Sequence, residues 1–189
     1  MRSLLKNKTL RISIYLFIVG FAAISCQCSS KQSKGEDHEH RPMTEDEQVE
    51  VQRDFLRKER ESIDAYIKDR NLKVERTGLG MYYTILEDSS AIEMVETEDI
   101  VEYEYDISML NGSLLFTSRQ LGNGHIKIDK QDAEIGLHES LKKLGLGDKG
   151  LFILPSHLAF GVAGDQDRVP PKTALVYELK VVKIQKSKS

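Results

Sequence analysis

The chain has 189 residues, with 27 Lys and Arg against 30 Asp and Glu and 40 % hydrophobic residues. Its acidic balance argues against a nucleic-acid partner, which needs a basic face. Cysteine occurs only as Cys26 and Cys28, so no disulfide framework is available and the protein must stand on a hydrophobic core, for which its length suffices.

The first 25 residues read as an export signal. Arg2, Lys6, Lys8 and Arg11 form a basic leader, and an apolar run from Ile12 to Ile24 follows. That run is shorter than the roughly 20 apolar residues of a comfortable membrane span. Small residues then precede a cysteine in Ala22-Ala23-Ile24-Ser25-Cys26, which resembles a bacterial lipoprotein signal. The resemblance implies cleavage before Cys26, acylation of Cys26 and attachment to a membrane through that N-terminal lipid. An ordinary cleaved signal or an uncleaved anchor would share the pattern. Gln27 in place of an acidic residue implies, by the same analogy, the periplasmic side of the outer membrane. Without residues 1–25 the chain keeps 23 basic and 30 acidic residues.

Residues 26–42 read as a flexible tether, since serine, lysine, glycine and acids leave no apolar face to bury. Asp37-His38-Glu39-His40 within it is a metal-binding tract or a solvated linker. Adjacent ligands on a floppy segment are not preorganised, which favours the linker and no metal site.

A helix is expected over 43–71. Thr44 and Glu47 make a capping box, and Val49, Leu56 and Ile63 recur every seven residues, extended by Tyr66 and Ile67 and flanked by Phe55. The stripe packs on the domain behind it or pairs with a second copy. Three widely spaced large residues make a weak coiled-coil seam, which favours packing on the domain.

From Leu72 the hydrophobic period drops to two, and residues 72–189 read as one domain. Strands are expected over 73–77, 81–87, 99–109, 113–118, 124–128, 149–154 and 173–184, with a hairpin turn at Asn111-Gly112 and a short helix over 135–144. Val101, Tyr103, Tyr105 and Ile107 share one strand face; Leu175, Tyr177, Leu179 and Val181 share another. The expected fold is α+β: a twisted antiparallel sheet, a half-barrel wrapped around one short helix, preceded by an amphipathic helix.

A set of spaced motifs points to function. Tyr105 stands seven residues before the turn glycine Gly112, and Phe116 follows the turn. Gly136-Leu137 opens the short helix and Gly147-Asp148 precedes a strand. Pro155 leads to Phe160-Gly161, and Pro170-Pro171 precedes Leu175 to Tyr177. From about Gly78 to Ile184 this resembles the FKBP-type peptidyl-prolyl cis-trans isomerases. With the leader and helix, the chain is similar to gliding-motility-associated isomerase lipoproteins. The resemblance implies an enzyme that uses no cofactor and acts on proline-containing polypeptides. It further implies that Tyr105, Phe116, Leu137, Phe160 and Tyr177 form the catalytic pocket, with Thr117, Ala133, Glu134 and Val169 contacting substrate.

Several positions depart from the family's pattern. Phe160 replaces a tyrosine whose hydroxyl contacts the ligand carbonyl, and Thr117 replaces an aspartate. Leu137 stands for a frequent tryptophan and Glu134 for an aliphatic residue. Ile126 or Ile128 stands in for a further phenylalanine. The expected function is a lipid-anchored isomerase assisting the folding of exported envelope proteins. The alternatives are a catalytically weak chaperone or proline-peptide binding module on the same fold, and a structural lipoprotein that uses its helix as the contact. The sequence leaves the oligomeric state open.

Overall fold

A computed structural model describes residues 43–90 and 93–187. The leader, the tether with Asp37-His38-Glu39-His40, and Cys26 lie outside the described residues. Residues 43–189 form one compact unit.

Helix α1 spans Glu45–Asp69. Its capping box is formed: Glu47 N donates to Thr44 Oγ1 at 3.3 Å and Thr44 N donates to Glu47 Oε2 at 2.8 Å. Three acids in the first turn complement the positive end of the helix dipole. Ile63 and Tyr66 are buried against Tyr82, Leu151, Ile153, Ala174 and Val176. Val49 and Leu56, expected in the same stripe, stay 48 % and 45 % exposed. The heptad reading therefore holds only for the C-terminal part of α1, because only that part reaches the apolar patch on the sheet.

The strands are β1 Glu75–Arg76, β2 Tyr82–Glu87, β3 Ile100–Met109, β4 Leu114–Thr117, β5 Gly124–Lys127, β6 Lys149–Leu154 and β7 Leu175–Gln185. They make one antiparallel sheet in the order β1-β2-β6-β7-β3-β4. β3 runs against β7 from Ile100↔Gln185 to Met109↔Leu175, and its other edge is shared by β5 and β4. Between those two lies α2, Ser118–Leu121, a turn of helix the alternation pattern did not announce. Its capping comes from Thr117, whose Oγ1 accepts from Arg119 N at 3.3 Å. Ser118 Oγ accepts the Tyr105 N–H at 3.1 Å, where neither edge strand reaches.

The sheet is a layer between α1 and α3, the latter spanning Ile135–Leu141. Alternation on β6 sends Leu151 and Ile153 toward α1 and Phe152 and Leu154 toward α3, so this strand is buried on both faces. Leu137, Leu141 and Leu144 of the α3 segment pack with Val101, Leu175, Tyr177, Leu179 and Val181. The expected helix over 135–144 ends as a helix at Leu141, and the last strand begins at Leu175 rather than Thr173.

Two buried aspartates tie the loops to this frame. Asp148 accepts from Ser89 N at 2.8 Å, Ser89 Oγ at 2.6 Å and Gly145 N at 2.7 Å. Asp99 accepts from Glu96 N at 2.8 Å, Lys186 Nζ at 3.0 Å and Ser187 N at 3.1 Å. Burial acts to raise both pKa values, but these hydrogen bonds outweigh it and hold both below the ordinary aspartate value. A depressed folded-state pKa stabilises the fold fully above the unfolded aspartate value of about 3.9, and that contribution is lost as pH falls through the folded value. The urea midpoint is thus expected to be flat in this respect from pH 7 to 5 and to fall below about pH 4. Asp148→Asn should cost about 1–3 kcal/mol at pH 7, since it impairs acceptance from the buried Gly145 N–H, and should flatten the acid limb. An unchanged acid limb in that variant would remove Asp148 from the account.

Candidate active site

A hollow of about 420 Å³ opens between the inner face of β3 and β7 and the start of α3. Tyr105, Phe116, Leu137, Phe160 and Tyr177 all line it, with Glu134. These residues come from five separate segments, and cross-strand register explains part of the convergence: Ile107 pairs with Tyr177 and with Phe116, so three side chains of one face meet. Leu137, 7 % exposed, forms the floor beside Tyr177, whose exposure is 0 %.

One wall is a ring pair. Phe116 and Phe160 stack with centroids 6.5 Å apart and planes at 29°. The Arg168 guanidinium lies 5.2 Å over the Phe116 ring, and its Nη1 donates to Leu115 O at 3.2 Å. Phe160 is set by the turn after Pro155, where Ser156–Leu158 is a 3₁₀ segment. The Ser156 carbonyl accepts from Ala159 N at 3.1 Å and Gly161 N at 2.8 Å. Ser156 N donates to the buried Glu59 Oε1 of α1 at 2.8 Å, so the N-terminal helix braces the segment that carries Phe160. Lys172 N donates to Gly161 O at 3.0 Å and closes the proline-pair loop on the same turn. Within that loop Asp165 Oδ1 accepts from the backbone of Asp167, Arg168 and Val169.

The opposite wall is Tyr103 and Tyr105, with rings 5.8 Å apart. Tyr103 also lines the hollow, as do Ile107, Gly124 and His125, which the sequence reading did not assign to it. The alternation that put Tyr103 on the face of Tyr105 was the available signal. Gly124 is required by close approach: a side chain there would collide with the Tyr103 ring. Burial, then the charge of Glu134 and the neighbouring Tyr105, push the Tyr103 phenol up to about 12. Burial likewise raises Tyr177 well above its usual value, with the Glu134 charge second. Both phenols are therefore neutral hydrogen-bond donors at physiological pH. The Tyr177 hydroxyl is buried without a hydrogen-bond partner among the described residues.

The remaining assigned residues sit elsewhere. Thr117 is 3 % exposed and caps α2, outside the hollow's lining. Val169 is 2 % exposed in the main core, and Ala133 packs against that core. Ile126 and Ile128 are core residues as well. The hollow is thus mainly aromatic and aliphatic, with phenols on its wall and beside its floor and one half-buried carboxylate. No side-chain nucleophile with an adjacent base lies in it. What such a site can do is hold an apolar ring out of water and present donors to a neighbouring carbonyl.

Residues 92–182 match the family model of FKBP-type peptidyl-prolyl cis-trans isomerases. A probable FKBP-type peptidyl-prolyl cis-trans isomerase FkpA of Neisseria meningitidis serogroup B is 27 % identical over 159 residues, covering 75 % of this chain and 58 % of the relative. The peptidyl-prolyl cis-trans isomerase FKBP9 of Homo sapiens is 30 % identical over 87 residues, covering 46 % of this chain and 15 % of the relative. The chain therefore spans well under two thirds of either relative. Among solved structures, FkpA from Escherichia coli has a TM-score of 0.61 at 23 % identity, covering 75 % of this chain and 65 % of that one, which shows a shared fold. Through residues 92–182 the chain carries an FKBP-type peptidyl-prolyl cis-trans isomerase domain, similar to FkpA.

Proposed function

We propose that the protein is a peptidyl-prolyl cis-trans isomerase, anchored by a lipid on Cys26, that assists the folding of exported polypeptides in the cell envelope, on the periplasmic side and at the outer membrane. The observation that carries the catalytic part is the convergence of Tyr105, Phe116, Leu137, Phe160 and Tyr177 on one open apolar hollow.

The chemistry follows from amide resonance. Rotation about an X-Pro bond faces a barrier of about 18–20 kcal/mol, most of it lost delocalisation. In the twisted transition state the carbonyl oxygen carries less negative charge than in the planar amide, so water favours the planar form. A hollow that seats the prolyl ring against Leu137 and the Phe116–Phe160 pair withdraws that preference and favours the twisted form. Phe160 offers no hydroxyl, so Tyr105 is the half-buried phenol left at the wall to steady the peptide.

The anchor rests on Ala22-Ala23-Ile24-Ser25-Cys26, and the finer likeness to gliding-motility-associated isomerase lipoproteins rests on that stretch together with α1. The test uses the full chain in non-ionic detergent. Catalysed cis-trans exchange of short X-Pro peptides, read by exchange NMR, is expected. Incorporation of labelled palmitate is expected for wild type and absent in Cys26→Ser. Exchange no faster than in buffer would leave only a proline-peptide binding module, the reading favoured by Phe160 and Thr117. Equal palmitate label in Cys26→Ser would remove the anchor.

A further inference from the structure

Glu134 is the one carboxylate among the residues lining the hollow. It stands at the N-cap of α3 with φ −62° and ψ 134°, yet its side chain makes no cap hydrogen bond. Among the described residues its carboxylate has no hydrogen bond and no ion pair. The basic side chains around the hollow are already engaged. Arg168 is held on the Phe116 ring and the Leu115 carbonyl, and His125 faces Glu102 at 3.6 Å. The carboxylate lines the same hollow as the Tyr103 and Tyr177 phenols, and its charge adds to the upward push that burial gives them. A half-buried carboxylate without a protein partner in a mainly aromatic hollow leaves its charge to be met by water or by a ligand cation.

We infer that Glu134 sets substrate preference, so that the hollow takes proline flanked by Lys or Arg ahead of proline flanked by aliphatic or acidic residues. This rests on the isomerase reading above. A prolyl ring on Leu137 fills the apolar floor, and a neighbouring cationic side chain then reaches the margin where Glu134 waits. An aliphatic neighbour leaves the carboxylate unpaired, and an acidic neighbour adds like-charge repulsion. The preference is modest, because a margin pair remains partly hydrated. It amounts to about three- to fivefold in kcat/KM between cationic and aliphatic flanks, and it is weakened by salt.

The experiment compares Lys-Pro-Lys, Leu-Pro-Leu and Glu-Pro-Glu peptides on the full chain in non-ionic detergent, at 50 and 500 mM salt. Exchange NMR gives the catalysed rates and titration of the same samples gives Kd. The expected order is Lys above Leu above Glu, compressed at high salt. In Glu134→Gln the order should collapse, read as the ratios between the three peptides within that variant. Glu50→Gln, a charge removed from exposed α1, reports general attraction to an acidic chain and should leave the order intact. Equal rates across the three peptides, or an order that survives Glu134→Gln, would overturn the inference while leaving the isomerase reading standing. If no peptide is accelerated, that reading fails by itself, and the Kd order still decides the role of Glu134.

Discussion

Phe116→Ala is expected to lower kcat/KM on X-Pro peptides by about 10–100-fold while the chain stays folded. The ring is half-buried and belongs to the hollow's wall, stacked on Phe160 and covered outside by Arg168. Removing it does two things at once. It takes away apolar surface that the prolyl ring would cover, and it opens the wall so that water returns to the carbonyl. The second effect bears on the twisted state more than on the planar one, so it shows in kcat and not only in KM. Stability should fall by about 1–3 kcal/mol, less than the ~3–5 kcal/mol of a fully buried Phe→Ala change, because the ring is partly exposed already. Urea denaturation at the assay temperature separates the two readouts. Phe116→Leu refills most of the volume and should recover most of the rate. A wild-type rate in Phe116→Ala would mean that the prolyl ring sits elsewhere.

How much of this site the sequence discloses depends on what kind of contact places each residue. Tyr105, Tyr177 and Phe116 were legible because period-two alternation and a strong turn at Asn111-Gly112 fix strand register, and register fixes which side chains meet. Leu137 was legible from the helical stripe of leucines and the glycine before it. The contacts that refine the pocket were not. Tyr103 enters the hollow because a glycine twenty-one positions later, on the paired strand, leaves room for its ring. The Glu59 carboxylate reaches the backbone of Ser156 across ninety-seven positions, a tertiary bond with no local signature. α2 depends on Thr117 and Ser118 spending their hydroxyls on the backbone, which alternation cannot reveal. Val49 and Leu56 show the converse failure. Helical spacing states which face could be apolar, and the extent of the apolar patch opposite decides how much of it is covered.

Gly136→Ala tests the seat of the hollow's floor, and here two principles predict opposite signs. Helix propensity alone makes alanine about 1 kcal/mol better than glycine inside a helix. Packing says otherwise. A Cβ at Gly136 would lie 2.6 Å from Leu154 Cδ1 and 2.6 Å from the Leu158 carbonyl oxygen. The leucine methyl can rotate away, but the carbonyl belongs to the braced turn after Pro155 and cannot yield without moving it. Overpacking of this kind costs about 1–3 kcal/mol and exceeds the propensity gain, so the net expectation is destabilisation of about 1–2 kcal/mol. The strain also has a direction. Relief comes from lifting α3, which carries Leu137, or from shifting the turn that leads to Phe160, so floor and wall both move. The folded fraction of Gly136→Ala should therefore catalyse exchange at least tenfold more slowly than wild type, a larger loss than a misplacement of a few tenths of an ångström suggests, because water exclusion fails with the fit. A variant more stable than wild type in urea, with unchanged exchange rates, would show that α3 and the turn have slack and that close packing at Gly136 does not hold the site.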